Sequence, residues 1–413
     1  MSKKEAPKHA SMDQFKVSDG HLMTGGKRIE ELAQSIPDDV PFYVYDKAVI
    51  SATVENLKKA LPSDIHVHYA IKANPMPELV SYMAGLVTGF DLASVGEMCV
   101  ALNTSMSAEH ISFAGPAKTD GELTEAIKAG VTINLESENE MRRAHRIGEK
   151  LGIKPKVAIR VNPDYDLKAS GMKMGGGAKQ FGIDAERVPE TLKELGSLDL
   201  EFRGFHIFWG SQNLREESIM EAHEKTFNLA AQLAQSAPDT VKSLNIGGGL
   251  GIPYFPGETR LNLEPISENL DNLLPTLRAS LPDTEIVTEL GRYLVGESGL
   301  YVCRVIDKKV SRGETFLVTN GGLHHHLSAS GNFGQVIRKN YPVAIANKMG
   351  EKEQELVNVV GPLCTPLDLL GNKMLLPKAE IGDLVVIYQS GAYGYTASPH
   401  LFLSHPPPEQ LLV

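Results

Sequence analysis

The sequence predicts an α/β protein in which a TIM (β/α)8 barrel is followed by an all-β barrel or sandwich domain. From Phe42 onward, eight apolar runs alternate with amphipathic segments, which is the order of strands and helices in such a barrel. Nearer the C-terminus, strand-like runs follow one another without long helices between them. A doubly wound open sheet is the main structural alternative, but no GxGxxG motif follows the first strand.

The predicted elements give the domain boundaries. The barrel strands, in chain order, are IHVHYAI, VTGFD, HISFAG, VTINLE, KVAIRV, FRGFHIF, KSLNIG and TEIVTEL. We expect residues 1–15 to form a flexible polar tail, residues 43–293 to form the barrel and residues 294–413 to form the β domain. Residues 16–42 are turn-rich and too few for a core of their own, so we expect them to complete the β domain.

Composition narrows the classes of partner. The 413-residue chain is 42% hydrophobic and carries a formal charge of -10, which argues against nucleic acid or an anionic membrane as partner. No long apolar run indicates a signal peptide or a membrane span, so we expect a cytoplasmic protein that acts on small molecules. Its cysteines, Cys99, Cys303 and Cys364, are too widely spaced for a disulfide framework or a CxxC metal site.

The stretch DIHVHYAIKAN places Lys72 at the end of the first barrel strand. Its apolar side chains alternate with polar ones, so Lys72 falls on the face opposite the apolar one. Asn74 and Pro75 then break the strand, and Pro77 begins a helix. Most lysines are plain surface residues, but in a barrel the strand-to-helix corners at this end carry the chemistry.

Two further motifs end the seventh and eighth strands. In NIGGGLG, residues Gly247 to Gly249 let backbone N–H groups surround an anion, so we expect a phosphorylated ligand; the alternative is a sharp turn without a ligand. In TELGRY, Glu289 and Arg292 stand at the end of the eighth strand and are candidates for the same site. A Glu and an Arg placed in this way are, however, often a structural ion pair.

Taken together, the motifs resemble the fold-type III pyridoxal phosphate (PLP) enzymes, specifically the diaminopimelate and ornithine decarboxylase group. In family order they are YAIKAN around Lys72, GFDLAS around Asp91, AIRVNP around Arg160, GSQ at 210–212, IGGG at 246–249, ELGR at 289–292, GPLC at 361–364 and GAYGY at 391–395. The resemblance implies a PLP-dependent decarboxylase of an amino acid or amino-acid derivative. It also implies a homodimer in which Lys72 of one chain and the Cys364 loop of the other complete each active site.

The resemblance also assigns residues to roles. Lys72 would bind PLP covalently, Glu289 would keep the pyridine nitrogen protonated, and Cys364 would return a proton to the substrate carbon, unless it is an inert thiol. The residues expected to bind the cofactor are Lys72, Asp91, Arg160, His206, Phe208, Ser211, Gly247, Gly248, Gly249, Glu289, Gly291, Arg292 and Tyr393.

One departure from the family pattern concerns the cofactor ring. Phe208 stands where the family has a histidine that stacks on the ring; its π face still permits stacking. His206, two residues earlier, points to the same face of the strand. It is either a partial substitute for the missing histidine or a satisfied core residue.

Other departures concern the substrate. Ser328, Asn332 and Thr365 stand where diaminopimelate decarboxylases have an Arg, a Tyr and a Glu that bind the distal end of the substrate. Free diaminopimelate is therefore a poor fit, because its distal charges would be buried without partners. Asp368 matches an aspartate that ornithine decarboxylases offer in this region, although the surrounding loop differs.

The run His324, His325 and His326 is a further candidate for substrate contact. Three consecutive histidines cannot all face one ion, so we expect no metal site but a polar loop at the pocket mouth. With ASPHLFLSHP, the run is similar to a subgroup that includes the carrier-protein-bound glutamate decarboxylase of butirosin synthesis and decarboxylases of exosortase systems. That similarity implies a substrate with an amide or thioester tether. The expected substrate-binding residues are His324, His325, His326, Ser328, Thr365 and Asp368.

Three alternatives remain at this point. The first is a diaminopimelate decarboxylase that binds free meso-diaminopimelate differently. The second is an amino-acid racemase, disfavoured because alanine racemases have an arginine in place of Glu289. The third is a non-catalytic regulator, which predicts loss of the lysine or the phosphate loop, yet Lys72, Gly247 to Gly249 and Tyr393 are present.

Overall fold

The computed structural model describes residues 7–165, 172–173 and 175–413. The chain divides into two units. We call residues 54–252 and 261–293 the barrel unit, and residues up to 53, 253–260 and 294–413 the β unit.

The strands and helices are numbered in chain order. The strands are β1 (Val17–Ser18), β2 (His21–Thr24), β3 (Lys27–Arg28), β4 (Phe42–Tyr45), β5 (Ile65–Ala70), β6 (Gly89–Leu92), β7 (Ile111–Phe113), β8 (Thr132–Leu135), β9 (Lys156–Asn162), β10 (Met172–Lys173), β11 (Ile183–Asp184), β12 (Glu201–Ile207), β13 (Gly210–Ser211), β14 (Ser243–Gly248), β15 (Glu285–Leu290), β16 (Gly299–Ser311), β17 (Glu314–Thr319), β18 (Val343–Ile345), β19 (Gln354–Val360), β20 (Leu369–Pro377), β21 (Leu384–Ile387) and β22 (Glu409–Leu412). The α-helices are α1 (Ile29–Ala33), α2 (Lys47–Ala60), α3 (Pro77–Ala84), α4 (Val95–Leu102), α5 (Asp120–Ala129), α6 (Glu138–Leu151), α7 (Val188–Leu195), α8 (Glu216–Ala234), α9 (Leu263–Ser280) and α10 (Arg292–Val295). Within the described ranges, no helix combines the length and apolar character needed to cross a membrane.

The barrel unit is built on eight parallel strands that close on themselves. Their order around the barrel is β5, β6, β7, β8, β9, β12, β14 and β15, and β15 pairs with β5. Each strand coincides with one of the apolar runs or extends one residue beyond it, as expected for a parallel sheet covered by helices. The predicted TIM barrel is therefore confirmed.

The barrel brings the predicted site motifs to neighbouring strands. Because all eight strands are parallel, their carboxyl ends meet at one rim. Strands β12, β14, β15 and β5 are consecutive neighbours, and His68 of β5 is in register with Glu289 of β15. The fold therefore gathers motifs that are far apart in the sequence.

The β unit is a mixed sheet organised around the 13-residue strand β16. The first half of β16 pairs antiparallel with β4 and β21, and the second half of β16 pairs with β17. Buried side chains of these strands, including Val44, Val302 and Val386, form its core with Phe15 and Leu22 from the N-terminal segment. The predicted all-β C-terminal domain is therefore confirmed.

The unit boundaries differ from the expected domain boundaries in three places. Strand β4 belongs to the β unit because it pairs with β16 on one side and with β22 on the other. Residues 253–260, placed by the sequence in the barrel, also belong to the β unit. Residues 1–6 of the expected tail lie outside the described residues, and the tail ends before Phe15, whose ring is buried in the core.

Asp46 connects the N-terminal segment to the start of α2. Its carboxylate accepts the Thr24 hydroxyl at 3.0 Å, the Gly25 N–H at 2.8 Å and the Ala48 N–H at 2.8 Å. The last of these bonds caps the helix. One buried side chain therefore anchors two segments of the β unit.

We expect Asp46→Ala to lower the free energy of unfolding by about 2 kcal/mol, because it removes a helix cap and leaves buried donors unpaired. Chemical denaturation followed by circular dichroism measures the change. Asp39→Ala, which alters an exposed aspartate of the same unit, is the control. Equal losses in the two variants would contradict the assigned role.

Candidate active site

Lys72 lies in a turn directly after β5. The strand ends at Ala70, and a 3-10 turn, Ile71–Ala73, carries the lysine. A Cβ atom at Gly291 would lie 2.8 Å from the Cβ of Ala73, so only glycine lets the end of β15 approach this turn. The Lys72 Nζ consequently lies 3.2 Å from Glu289 Oε1.

Glu289 is the centre of the barrel site. It is 5% exposed, and His206 Nε2 lies 3.1 Å from its second oxygen, Oε2. Burial alone would raise the pKa of this carboxyl, but the charge of Lys72 and the hydrogen bond from His206 outweigh burial and hold the pKa well below its usual value. Glu289 is therefore ionised at neutral pH.

His206 belongs to this site and is not a satisfied core histidine. A carboxylate can only accept, so His206 Nε2 must carry the proton that it donates to Glu289. Its other ring nitrogen, Nδ1, is buried and has no hydrogen-bond partner in the part of the chain that is described. The bond to Glu289 fixes both the tautomer and the rotamer of the pair.

Phe208 lies beside the lysine. The Lys72 Nζ is 5.3 Å from the centroid of its ring, within cation–π distance. A Cβ atom at Gly247 would lie 3.2 Å from the same ring. The structure thus brings Phe208 together with Lys72 and Gly247, the first of the three glycines at the end of β14.

The glycine loop, residues 247–249, has a backbone that other residues would distort. Gly247 and Gly249 have φ angles of 69° and 75°, in the left-handed region. A Cβ atom at Gly249 would lie 2.7 Å from the ring of Trp209. The Gly247 N–H donates to Asn245 Oδ1 at 2.8 Å and so points toward the barrel, not toward an anion.

Two predicted phosphate-binding residues follow strands near this loop: Ser211 lies beside it, and Arg292 comes just after β15, which pairs with β14. Ser211 ends β13, and the Asn213 N–H two residues later donates to Gly249 O at 2.8 Å. Arg292 follows Gly291 and is the first residue of α10. Backbone N–H groups of glycine loops, hydroxyl groups and guanidinium groups commonly bind phosphate in proteins.

Asp91 and Arg160 are buried and already paired. Asp91 accepts hydrogen bonds from Ser112 Oγ and, at 3.4 Å, from Asn245 Nδ2, inside the barrel. Arg160 Nη1 lies 2.7 Å from Glu136 Oε1. The charge of Arg160 also helps to lower the pKa of Glu289, after burial, Lys72 and His206. Asp91 therefore contacts Asn245, and Arg160 contributes its charge to the pKa of Glu289.

Three further residues near the site have interactions that the sequence did not predict. Glu97 of α4 has its pKa raised by burial, and it interacts electrostatically with Lys72 and Glu289. Glu136 anchors Arg160, and Asn245 anchors the glycine loop. Glu136 directly follows β8 and Asn245 begins the NIGGGLG motif, but neither position alone indicated the hydrogen bonds that these side chains make.

The remaining predicted residues all lie in the β unit. Cys364 is exposed. Asp368 is buried and accepts the N–H groups of Leu323 at 2.6 Å and Leu363 at 2.9 Å, so it holds two loops together. Burial raises its pKa. Thr365 follows Cys364, and its N–H donates to the Leu363 carbonyl. Tyr393 O accepts the Ser328 hydroxyl at 3.0 Å.

The three histidines, which we expected in a polar loop at the pocket mouth, are buried. Tyr301 OH lies 3.3 Å from His325 Nδ1, and His326 Nε2 lies 2.9 Å from Ser390 Oγ. Burial lowers the pKa of His324 to about 4 and the pKa values of His325 and His326 to about 3. His325 and His326 have partners that favour burial, whereas neither ring nitrogen of His324 has a hydrogen-bond partner among the described residues. Contact of the three histidines with substrate stays a prediction.

Comparison with known proteins identifies the family. The pyridoxal binding domain of the pyridoxal-dependent decarboxylases matches residues 47–296. The L-glutamyl-[BtrI acyl-carrier protein] decarboxylase of Niallia circulans is 36% identical over 91% of this chain and 89% of its own. Diaminopimelate decarboxylase of Aquifex aeolicus is 33% identical over 92% and 88%. The crystal structure of AQ1208 from Aquifex aeolicus superposes with a TM-score of 0.84, at 30% identity, over 97% of this chain and 92% of that chain. The chain therefore belongs to the pyridoxal-dependent amino-acid decarboxylases, carboxy-lyases of fold-type III whose cofactor is PLP.

Proposed function

We propose that this decarboxylase acts on an amino acid whose distal end is joined to a carrier through an amide or thioester, and that Lys72, Glu289 and Cys364 are its catalytic residues. The observation that carries the catalytic part is the buried Glu289 carboxylate between Lys72 and His206. The substrate part rests on residues of the β unit and on the relative that acts on an L-glutamyl acyl-carrier protein.

The residues of the barrel unit fit PLP. Lys72 offers an amine for the aldehyde, and the glycine loop with Ser211 and Arg292 offers a cradle for the phosphate. A side chain at Gly247 or Gly249 would fill that loop, as the short distances to Phe208 and Trp209 show. When bound, PLP supplies a conjugated ring that accepts the electron pair left on the substrate as CO2 departs.

Glu289 determines which reaction the site favours. Its lowered pKa keeps it ionised, and as a carboxylate it would hold a proton on the ring nitrogen of bound PLP instead of removing it. A protonated ring is the stronger electron acceptor, which favours decarboxylation over racemisation. His206 holds the carboxylate in place from the other side. Phe208 would lie along the ring.

We expect Glu289→Gln to lower the rate of CO2 release per bound PLP by about 100-fold or more, because the amide keeps the volume and loses the charge. Glu285→Gln on the same strand is the control, since Glu285 lies 3.5 Å from the half-exposed His66. The visible absorbance of PLP reports cofactor occupancy in both variants. Unchanged turnover in Glu289→Gln at full occupancy would contradict the role.

The β unit offers few charges to the distal end of a substrate. Ser328 donates its hydroxyl to Tyr393 O, and Asn332 Nδ2 donates to Ser330 Oγ at 2.8 Å. The carboxylate of Asp368 is occupied by two backbone N–H groups. An uncharged tether needs no ionic partner, whereas the free carboxylate and ammonium of diaminopimelate would remain unpaired.

We therefore expect CO2 release from the pantetheine thioester of an amino acid such as L-glutamate, joined through its side-chain carboxyl, and none from free meso-diaminopimelate. Isotopically labelled CO2 measures both reactions at equal substrate concentration. Free L-glutamate is the control for the tether. Turnover of meso-diaminopimelate comparable to that of the thioester would overturn the proposed substrate class and favour a diaminopimelate decarboxylase.

We also infer a homodimer with shared active sites. Consecutive apolar side chains of the β unit are exposed, Leu401 at 92%, Phe402 at 44% and Leu403 at 49%, and Val336 is fully exposed. Apolar groups exposed in this way are typical of interaction surfaces. Family resemblance supports a site made of Lys72 from one chain and Cys364 from its partner.

This arrangement predicts complementation between two inactive variants. When Lys72→Ala and Cys364→Ala are mixed and allowed to exchange subunits, half of the dimers are hybrids with one intact site, so activity should recover to about a quarter of the wild-type value. The decarboxylase assay measures the recovery, and Cys99→Ala in place of Cys364→Ala provides the control for an exposed thiol elsewhere. If the mixture stays as inactive as its components, the shared site is wrong.

A further inference from the structure

We propose that Asn245 is a positioning residue that sets the affinity of the glycine loop for the phosphate of PLP. The inference rests on the proposed role of residues 247–249 as the phosphate site. Asn245 is on β14 and is 7% exposed, two residues before the loop. It acts from inside the barrel and need not touch the cofactor.

The side-chain amide of Asn245 joins the loop to a buried acid. Its Oδ1 accepts the Gly247 N–H at 2.8 Å, and its Nδ2 donates to Asp91 Oδ1 at 3.4 Å. The orientation of the amide is unambiguous, because a backbone N–H can only donate and a carboxylate can only accept. An aspartate here would face Asp91 with a like charge.

Asp91 is itself held in place by neighbouring strands. Ser112 of β7 donates its hydroxyl to the Asp91 oxygen that Asn245 contacts. His68 Nδ1 of β5 lies 3.3 Å from the other oxygen. Asn245 therefore connects the loop to a group fixed by the barrel wall.

Gly247 is held on both sides of its Cα atom. Asn245 binds its N–H, and the hydroxyl of Thr288 on β15 donates to its carbonyl oxygen at 3.0 Å. With its φ at 69°, this residue determines the direction in which the chain continues to Gly248 and Gly249. Without the Asn245 amide, a buried N–H would lose its partner, and the loop would rearrange to satisfy it.

A matched control exists in the same cluster. Asn134 of β8 is 3% exposed and donates to Ser112 Oγ at 3.0 Å, so it contacts the network around Asp91. Its strand, β8, is separated from β14 by β9 and β12 in the barrel order. If both asparagines served the barrel interior alone, replacing either one would change the affinity for the PLP phosphate equally.

The test compares PLP with pyridoxal, which lacks the phosphate. Apoenzyme of each variant is titrated with both compounds. The dissociation constant of pyridoxal divided by that of PLP measures how much the phosphate contributes to affinity. We expect Asn245→Ala to lower this ratio by about tenfold or more, with the affinity for pyridoxal nearly unchanged. Asn134→Ala should leave the ratio at the wild-type value.

Hydrogen–deuterium exchange of the apoenzyme gives a second readout without cofactor. The peptide that contains residues 243–251 should exchange faster in Asn245→Ala and not in Asn134→Ala. If Asn245→Ala does not fold, Asn245→Ser replaces it, because its hydroxyl is too short for the same bridge.

Ser211→Ala distinguishes failure of the positioning role of Asn245 from failure of the proposed phosphate site. If it lowers the ratio and Asn245→Ala does not, the phosphate site stands and the positioning role is overturned. If neither variant lowers the ratio, the proposed phosphate site itself is wrong. Equal effects of Asn245→Ala on PLP and pyridoxal, or equal effects of the two asparagine variants, would also overturn the inference.

Discussion

The barrel site depends on compensation of one buried charge, that of Glu289. Its partners come from other strands: Lys72 follows β5, and His206 lies on β12. Strand β15 pairs with β5, and β14 lies between β15 and β12. The carboxylate therefore gains both partners only when the barrel closes, since an isolated charge at this depth would be strongly unfavourable. Closure of the fold and assembly of the charged site are the same event.

Much of the barrel could be predicted because its strands carry their own signal. Parallel strands buried on both faces are continuous apolar runs, and all eight were visible as such. The motifs that carry Lys72, Glu289 and the glycine loop were recognisable for a related reason, because each ends such a run. That His206 binds Glu289 could not be predicted, because their spacing of 83 residues contains no information about side-chain distance.

The differences from expectation share a physical cause, which is that polarity in a sequence does not fix exposure. The run His324 to His326 was expected in a polar loop at the pocket mouth, but tyrosine, serine and backbone partners allow the rings of His325 and His326 to be buried. His324 is buried although neither of its ring nitrogens has a hydrogen-bond partner among the described residues. Asn245 belongs to the NIGGGLG motif, but its own role became visible only through Gly247 and Asp91. The expected boundary at residue 43 left most of β4 in the barrel, whereas strand pairing places it in the β unit.

Strand β4 also has a consequence for synthesis of the protein. The ribosome makes Phe42–Tyr45 roughly 250 residues before the strand with which it pairs, Gly299–Ser311. At common elongation speeds that interval lasts about 10–50 s, during which the nascent apolar segment FYVY can contact the N-terminal core residues but has no strand to pair with. Chaperones that bind nascent chains would act on this segment first. Overexpression should exceed the capacity of these chaperones before it impairs folding of the barrel.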